Sequence, residues 1–360
     1  MTPHETAGPA AGPPADPASA GQDTPRASSG PLAATYDAAL LDLDGVVYLG
    51  GKAIPGAAEA LGEAAQAGMR LAYVTNNASR SPSAIAHQLT SLGVPASPAD
   101  IVTSAQAAAR LLAERLPAGS PVLVAGGIGL RLALRERGLR PVSVAAERPV
   151  AVVQGFASDI GYSLLTEAAL AIRAGALYVA SNADATMPSP RGLQPGNGSL
   201  IALLATATGQ RPEVAGKPEP PLHAEAVQRT GAARPLVVGD RLDTDIEGAV
   251  RAGTDSLLVL TGVTGPAEAL LAPPGQRPAY LAAGLSGLLS AHPGVTAEAG
   301  GGFSCGGWTA RREADSGKLS LSGSGDPLDG LRALCGAAWS GPALSPEQAA
   351  DAVQGLDLPS

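Results

Sequence analysis

The sequence predicts an α/β protein built on a doubly wound parallel sheet, with a small extra module at its C-terminal end. Three observations lead there. From Tyr36 onward, short apolar runs alternate with Ala-rich helical stretches, the pattern of successive βα units. The runs are near-continuous in Val, Leu and Ala, as expected of strands buried on both faces. Two of them end in acidic motifs, at the place where open α/β sheets hold their ligands.

Taken in order, residues 1–34 hold almost no large apolar side chains and are expected to be a disordered tail. Strands are predicted at Ala38–Leu43, Leu71–Thr75, Val122–Ala125, Val150–Gln154, Leu177–Ala180, Leu236–Gly239 and Leu257–Leu260. Helices are predicted at Gly56–Ala67, Ser104–Leu116, Gly198–Ala207, Pro220–Arg229 and Asp243–Ala252. Pro/Gly-rich breaks fall at Ala272–Arg277 and Pro293–Gly302. Beyond them an alternating segment, GGWTARREADSGKLSLSG, precedes an Ala/Leu helix pattern near Leu328–Trp339.

Composition narrows the function. A formal charge of −8 without any basic run argues against a nucleic-acid or anionic-membrane surface. The two cysteines, Cys305 and Cys335, exclude a disulfide scaffold and read as small buried hydrophobes. His4, His87, His223 and His292 show no metal-pair spacing. No stretch is apolar enough to span a bilayer and the N-terminus lacks a signal-peptide profile, so a cytoplasmic protein is expected.

The first strand runs into Asp42-Leu43-Asp44-Gly45. Gly45 lets the backbone turn so that the two carboxylates converge, and burying like charges there calls for a cation. Taken alone, the pair reads equally well as a solvated turn. Thr75-Asn76-Asn77, at the end of the second strand, offers a hydroxyl and two amides to an anion, or an ordinary helix cap. Lys217 is one of three lysines among 24 basic residues, and prolines at 218 and 220 display it on a stiff loop. The strand Leu236-Val237-Val238 runs into Gly239-Asp240-Arg241-Leu242-Asp243-Thr244-Asp245-Ile246. Asp243 and Asp245 fit a helix N-terminus, whereas Asp240 joins Asp42 and Asp44 in an oxygen-ligand set suited to Mg²⁺.

Asp-Leu-Asp-Gly-Val, Thr-Asn-Asn, Gly-Lys-Pro and Gly-Asp-Arg-Leu-Asp-Thr-Asp-Ile, in this order, resemble the four motifs of the haloacid dehalogenase superfamily of phosphatases. The extended forms Thr-Asn-Asn-Ala-Ser-Arg and Gly-Asp-Arg-Leu-x-Thr-Asp-Ile resemble its NagD / 4-nitrophenylphosphatase branch. The resemblance implies a Rossmann-like hydrolase core at 35–97 and 194–292, with an α/β cap inserted at 98–193. It further implies Asp42 as nucleophile and Asp44 as general acid and base. Thr75, Asn76, Asn77 and Lys217 would bind the substrate. Mg²⁺ would be held by Asp42, the Asp44 carbonyl and Asp240, with Asp245 in support. The implied partner is a small phosphorylated metabolite.

Val122–Leu130 half resembles a dinucleotide fingerprint, with Glu147 about twenty residues on, but Leu132 stands where the third glycine belongs. It reads as a tight cap turn. Asn182 and Asp184, in a loop expected to close over the site, are candidates for substrate choice or plain turn formers. The tail, residues 300–360, is similar to the acetyltransferase-like segment of actinobacterial glycerol 3-phosphate phosphatases. That likeness makes glycerol 3-phosphate the first expected substrate, ahead of pyridoxal phosphate or a nucleoside monophosphate. The tail is too short for a complete acetyl-CoA site, so a structural or homodimer-contact role is expected, with Trp308 and Trp339 in its core. Two other classes are weighed: a non-catalytic phosphometabolite sensor, against which Asp44 and Lys217 are both present, and a receiver-like module, against which Asp-x-Asp-Gly and the large insertion speak.

Overall fold

The computed structural model describes residues 23–187 and 191–358. Its main sheet has six parallel strands in the order Tyr280–Ala282, Asp255–Val259, Pro235–Gly239, Ala38–Leu41, Arg70–Thr75 and Ile101–Thr103. Ala38–Leu41 is central and buried throughout. Ala39 and Leu41 pack into one apolar cluster and Leu40 into another, so successive side chains serve opposite faces of the sheet. Strand order reverses about this strand, which puts its carboxyl end and those of its two neighbours at the switch point.

A second parallel sheet takes the order Glu213–Val214, Leu177–Ala180, Ala151–Gln154, Pro121–Ala125 and Arg140–Val142. One apolar cluster runs from Leu40, Ala72 and Val74 of the main sheet to Val122, Val124, Val153 and Val179 of the second. Helices Ser104–Ala113 and Pro220–Thr230 contribute Ala108, Leu112, Leu222 and Ala226 to that cluster. The two sheets therefore share a core.

These boundaries differ from the 98–193 insertion the sequence implied. Ile101–Thr103 is an edge strand of the main sheet, while helix Asn197–Thr208 packs against Tyr162–Arg173 and Glu213–Val214 pairs with Leu177–Ala180. Two- and three-residue edge strands such as Glu213–Val214, Arg140–Val142 and Tyr280–Ala282 carry too little pattern to be read in advance.

Of the expected disordered tail 1–34, residues 1–22, including His4, lie outside the described residues. The remainder corrects the expectation. Leu32 and Ala33 are buried in the helix Leu32–Thr35, the Arg26 amide donates to Ala279 O (2.8 Å), and Ser28 and His292 exchange two bonds. Two apolar residues and a few backbone bonds suffice to seat a segment whose average composition is polar. The helix predicted at Asp243–Ala252 begins instead with a wide π-type turn, Leu242–Ile246, before Glu247–Ala252.

The C-terminal module is a four-stranded antiparallel sheet (Thr296–Glu298, Gly302–Cys305, Trp308–Arg312, Leu319–Gly323) packed on helix Pro327–Trp339. Its apolar side joins Leu258, Leu270 and Leu281 of the main domain to Leu331, Leu334 and Trp339 in one cluster. Arg332 donates to Leu281 O (2.7 Å) and the Trp339 indole to Ala269 O (3.1 Å), so the module covers the sheet edge at Tyr280–Ala282. Cys305 and Cys335 are free and buried, and burial holds the Cys335 thiol above its ordinary pKa. Trp308 is only half-buried, unlike Trp339. No helix among the described residues is long and apolar enough to cross a membrane.

The shared cluster predicts cooperative unfolding. Leu334→Ala, at a fully buried site, is expected to lower stability by about 2–5 kcal/mol. Both tryptophans lie in the module, so their fluorescence and whole-chain circular dichroism should move together in urea; two separate transitions would show an autonomous module.

Candidate active site

Asp42 leaves the central strand with its amide donating to Val238 O (2.8 Å). Three residues on, the chain reverses at Gly45, whose φ of 81° favours glycine. A β-carbon there would run into the Asp240 carboxylate. Asp240 follows Pro235–Gly239, and its Oδ2 accepts from the Val263 amide (2.7 Å). The Thr261 hydroxyl donates to Gly45 O (2.6 Å), tying that same loop to the turn. Asp245 sits in the wide turn, where a side chain at Gly239 would strike it.

Lys217 joins these elements. Its ammonium donates to Asp42 Oδ1, to Asp245 Oδ1 (2.7 Å) and to Val74 O (3.3 Å), which uses all three of its protons. It is 4% exposed. Burial works to lower its pKa, but Asp245 and Asp42 overcome that and hold it above the ordinary value. Burial raises Asp42 despite Lys217, with Asp245 and Asp240 adding to the rise. Burial likewise pushes Asp240 up to about 6, helped by Asp245 and opposed by the Val263 amide.

Oxygens of Asp42, Asp240 and Asp245 all lie within 4.8 Å of one another. Three carboxylates against one ammonium leave an excess of negative charge, and Asp240 Oδ1 is buried with no hydrogen-bond partner. A small divalent cation fits that donor set and would satisfy the orphaned oxygen. Asp245 is already committed through both oxygens, to Lys217 and to the Arg241 amide (3.2 Å), so it orients the lysine. Asp44 stands apart: its carboxyl is exposed at the mouth and its Oδ2 accepts from the Tyr48 hydroxyl (3.4 Å). The protein packed around it partly desolvates Asp44 and raises its pKa, against Tyr48, Lys217 and Arg80.

The second-strand tip differs from the simple anion cradle that its three residues suggested. Thr75 is buried at the site and accepts the Asn77 amide on its hydroxyl (3.1 Å). The Asn77 side chain closes a turn onto Ser79, the local reading. Asn76 is a clamp: its Oδ1 accepts from the Lys217 amide (2.8 Å), and its Nδ2 donates to Lys217 O (3.1 Å) and Asp184 (3.2 Å). Its carbonyl receives both Ser104 Oγ and Asn182 Nδ2 at 2.7 Å. Asn182 and Asp184 thus bring the second sheet's loop onto the site, while the same Asn182 also forms a local turn (3.2 Å). Burial raises Asp184, opposed by Arg241 and Asn76.

The glycines of the dinucleotide-like turn have a different use. A β-carbon at Gly129 would meet Arg80 O at 2.7 Å and one at Gly127 would meet Ser79 at 3.0 Å, so bare backbone lets this turn nest on the tip loop. Missed altogether were Thr261, Gly262 and Val263, which hold Asp240 and the turn mainly through backbone and carry no side-chain motif. Tyr48 and Ser104 were likewise invisible until the chain was folded.

Family models agree with this geometry. A haloacid dehalogenase-like hydrolase model matches residues 39–140, a HAD-hydrolase-like model residues 214–288, and a GCN5-related N-acetyltransferase-like domain residues 305–358. The chain belongs to the haloacid dehalogenase-like hydrolase family, and it is a phosphatase. It is 46% identical over 316 residues to D-glycerol 3-phosphate phosphatase of Mycobacterium tuberculosis, spanning 86% of this chain and 87% of that protein. A crystal structure of glycerol phosphate phosphatase from the same organism, in complex with magnesium, superposes with a TM-score of 0.80 at 44% identity, covering 91% of this chain and 99% of that one. The p-nitrophenyl phosphatase of Archaeoglobus fulgidus gives 0.66 at 30% identity, covering 71% and 98%.

Two predictions follow from the geometry. Gly45→Ala forces a side chain onto the Asp240 carboxylate at positive φ, with a backbone cost of about 1–2 kcal/mol. Calorimetric titration should find divalent-cation affinity at least about tenfold weaker, which corresponds to about 1.4 kcal/mol. Because Asp240 titrates higher in the fold than in the unfolded chain, the metal-free fold loses stability as pH rises from about 4 through about 6. Cation affinity should rise over that same interval as protons cease to compete, and equal affinity at pH 5 and pH 7 would refute it.

Proposed function

We propose that the protein is a Mg²⁺-dependent phosphomonoesterase that hydrolyses glycerol 3-phosphate through an aspartyl-phosphate on Asp42. The observation that carries this reading is the buried Asp42–Lys217–Asp245 linkage with a separate carboxyl, Asp44, at the mouth. Asp42, Asp240 and the Asp44 carbonyl would hold Mg²⁺, supported by Asp245. When bound, the ion supplies positive charge to the phosphoryl oxygens and to the nucleophile's surroundings.

Asp42 attacks phosphorus in line, and the bond to the leaving oxygen breaks with its electron pair going to that oxygen. Asp44 gives the departing alkoxide its proton. Water then attacks the phosphorus of the aspartyl-phosphate, Asp44 takes a proton from it, and the carboxylate of Asp42 leaves as phosphate forms. Lys217 balances charge on Asp42 and the phosphoryl group, while the Thr75 hydroxyl and the backbone amides of the tip loop receive phosphoryl oxygens. Asn182 and Asp184 bond directly to Asn76 beside this point, which favours a small leaving group such as glycerol.

Asp42→Asn is expected to abolish phosphate release, by at least about 10³-fold, while the melting curve keeps its shape. A panel of glycerol 3-phosphate, pyridoxal phosphate, nucleoside monophosphates and 4-nitrophenyl phosphate, run with Mg²⁺ and with EDTA, tests the substrate. Greatest kcat/KM on glycerol 3-phosphate is expected; preference for another ester would keep the chemistry and replace the substrate. Inactivity of the folded protein toward every ester would favour a sensor.

A further inference from the structure

Tyr48 lies in the short hairpin strand Tyr48–Leu49, paired with Lys52–Ala53, just beyond the Asp42–Gly45 turn. The residue is 8% exposed and belongs to the apolar cluster that contains Leu43, Val46, Val47 and Leu61. Its backbone is pinned on both sides: the carbonyl accepts the Gly45 amide (2.8 Å) and the amide donates to Leu43 O (3.2 Å). The ring position is thereby set by the same turn that carries Asp44.

From this fixed position the phenol donates to Asp44 Oδ2 at 3.4 Å. Among the described residues, no other hydrogen bond engages either the Tyr48 hydroxyl or the Asp44 carboxyl. The charged groups that act on Asp44 from other elements are Lys217 and Arg80. Arg80 spends its guanidinium on Gln88 and on Ala84 O (3.0 Å), and Lys217 spends its ammonium on Asp42, Asp245 and Val74. An exposed carboxyl at the mouth of the site therefore has one anchor.

We propose that Tyr48 is a positioning residue for proton transfer to the leaving group, holding one oxygen of Asp44 so that the other faces the departing alkoxide. The proposal rests on the reading of Asp44 as general acid. As the phosphorus–oxygen bond breaks, its electron pair stays on the leaving oxygen, and the Asp44 proton moves to that oxygen. Asp44 is left as a carboxylate, and the Tyr48 O–H donates into the charge that develops there. A hydrogen bond to a charged acceptor is the stronger kind, so this one tightens along the reaction. At 3.4 Å the contact is long for an O–H···O bond, as catalytic hydrogen bonds often are before substrate binds, and it shortens in the reacting complex.

The test exploits the leaving group. An alkoxide needs a proton to depart, whereas 4-nitrophenolate leaves without one. The full-length Y48F enzyme with Mg²⁺ is compared with the unaltered protein on glycerol 3-phosphate and on 4-nitrophenyl phosphate, by kcat/KM, which reports the first irreversible step. The expected result is a fall of about tenfold on the alkyl ester, part of the roughly 10²–10⁴ that a general acid supplies, and a change of less than about twofold on the aryl ester. Equal losses on both esters would make Tyr48 merely structural, and no loss on either would remove it from the reaction; both outcomes overturn the proposal. D44N is measured alongside. If D44N keeps full activity on the alkyl ester, the reading of Asp44 itself fails; if only D44N loses it, Tyr48 alone is overturned. Y48F removes only one oxygen from a packed ring, and its melting curve, recorded beside that of the unaltered protein, shows whether the fold is kept.

Discussion

Three carboxylates gathered around one buried ammonium form the constraint on which the rest of this structure depends. Isolated charges in such a place are costly, and a lysine with all three protons donated offsets only part of the burden. Asp42 and Asp240 are pushed toward protonation as a result, and Asp240 keeps an oxygen with no partner. The arrangement persists because the backbone is shaped around it. Glycine at 45, 239 and 262 leaves room for carboxylates that any side chain would strike, and the loop at 261–264 donates the Val263 amide to the Asp240 carboxylate and the Thr261 hydroxyl to the Gly45 carbonyl. A divalent cation bound there would offset that uncompensated charge.

A second consequence concerns the sheet that overlies the site. Asn76 is the seam: it exchanges backbone bonds with Lys217 through its amide, meets Asp184 with the same group, and receives Asn182 and Ser104 on its carbonyl. Close approach is again enabled by missing side chains, since a β-carbon at Gly216 would meet Asn76 Oδ1 and Ser181 O at 2.5 Å each. Away from the site, buried Glu225 collects Arg137 (2.8 Å), Arg229 (2.7 Å) and Arg110 (3.6 Å), joining a core helix to the second sheet's helix end. The loop that carries Asn182 and Asp184 is thus bonded to the residue that positions Lys217, so the second sheet and the buried charge share one set of contacts.

The C-terminal module plays a different part. Its apolar helix finishes a cluster that the main sheet leaves open beyond Tyr280–Ala282, and Arg332 supplies a charged hydrogen bond to the edge strand. It resembles an acetyltransferase domain in sequence, but its buried apolar groups Leu331, Leu334 and Trp339 pack in one cluster with Leu258, Leu270 and Leu281 of the main domain. The segment Asp23–Ser28 lies along the same side, where Arg26 reaches Asp255 (2.7 Å) and Ser28 reaches His292.

Much of this was legible in the linear chain. Strands such as Leu177–Ala180 are written as uninterrupted apolar runs, and Asp42, Asp44, Lys217, Asp240 and Asp245 stand at strand ends or in stiff loops, where local chemistry marks them. Those signals are local because backbone propensity and burial period act over a few residues. What Asn76 and Asn77 do was not local: one bonds a lysine 141 residues away and the other turns onto Ser79, although they are adjacent amides of similar chemistry. The bounds of the second sheet, the anchoring of Leu32, the glycine seam and the Tyr48–Asp44 pair were likewise decided by which surfaces met once the chain had folded. Residue type and short-range pattern determined the fold class and the charged set; the orientation of each polar group was decided only by long-range packing, because a hydrogen bond depends on tenths of an ångström that no local pattern encodes.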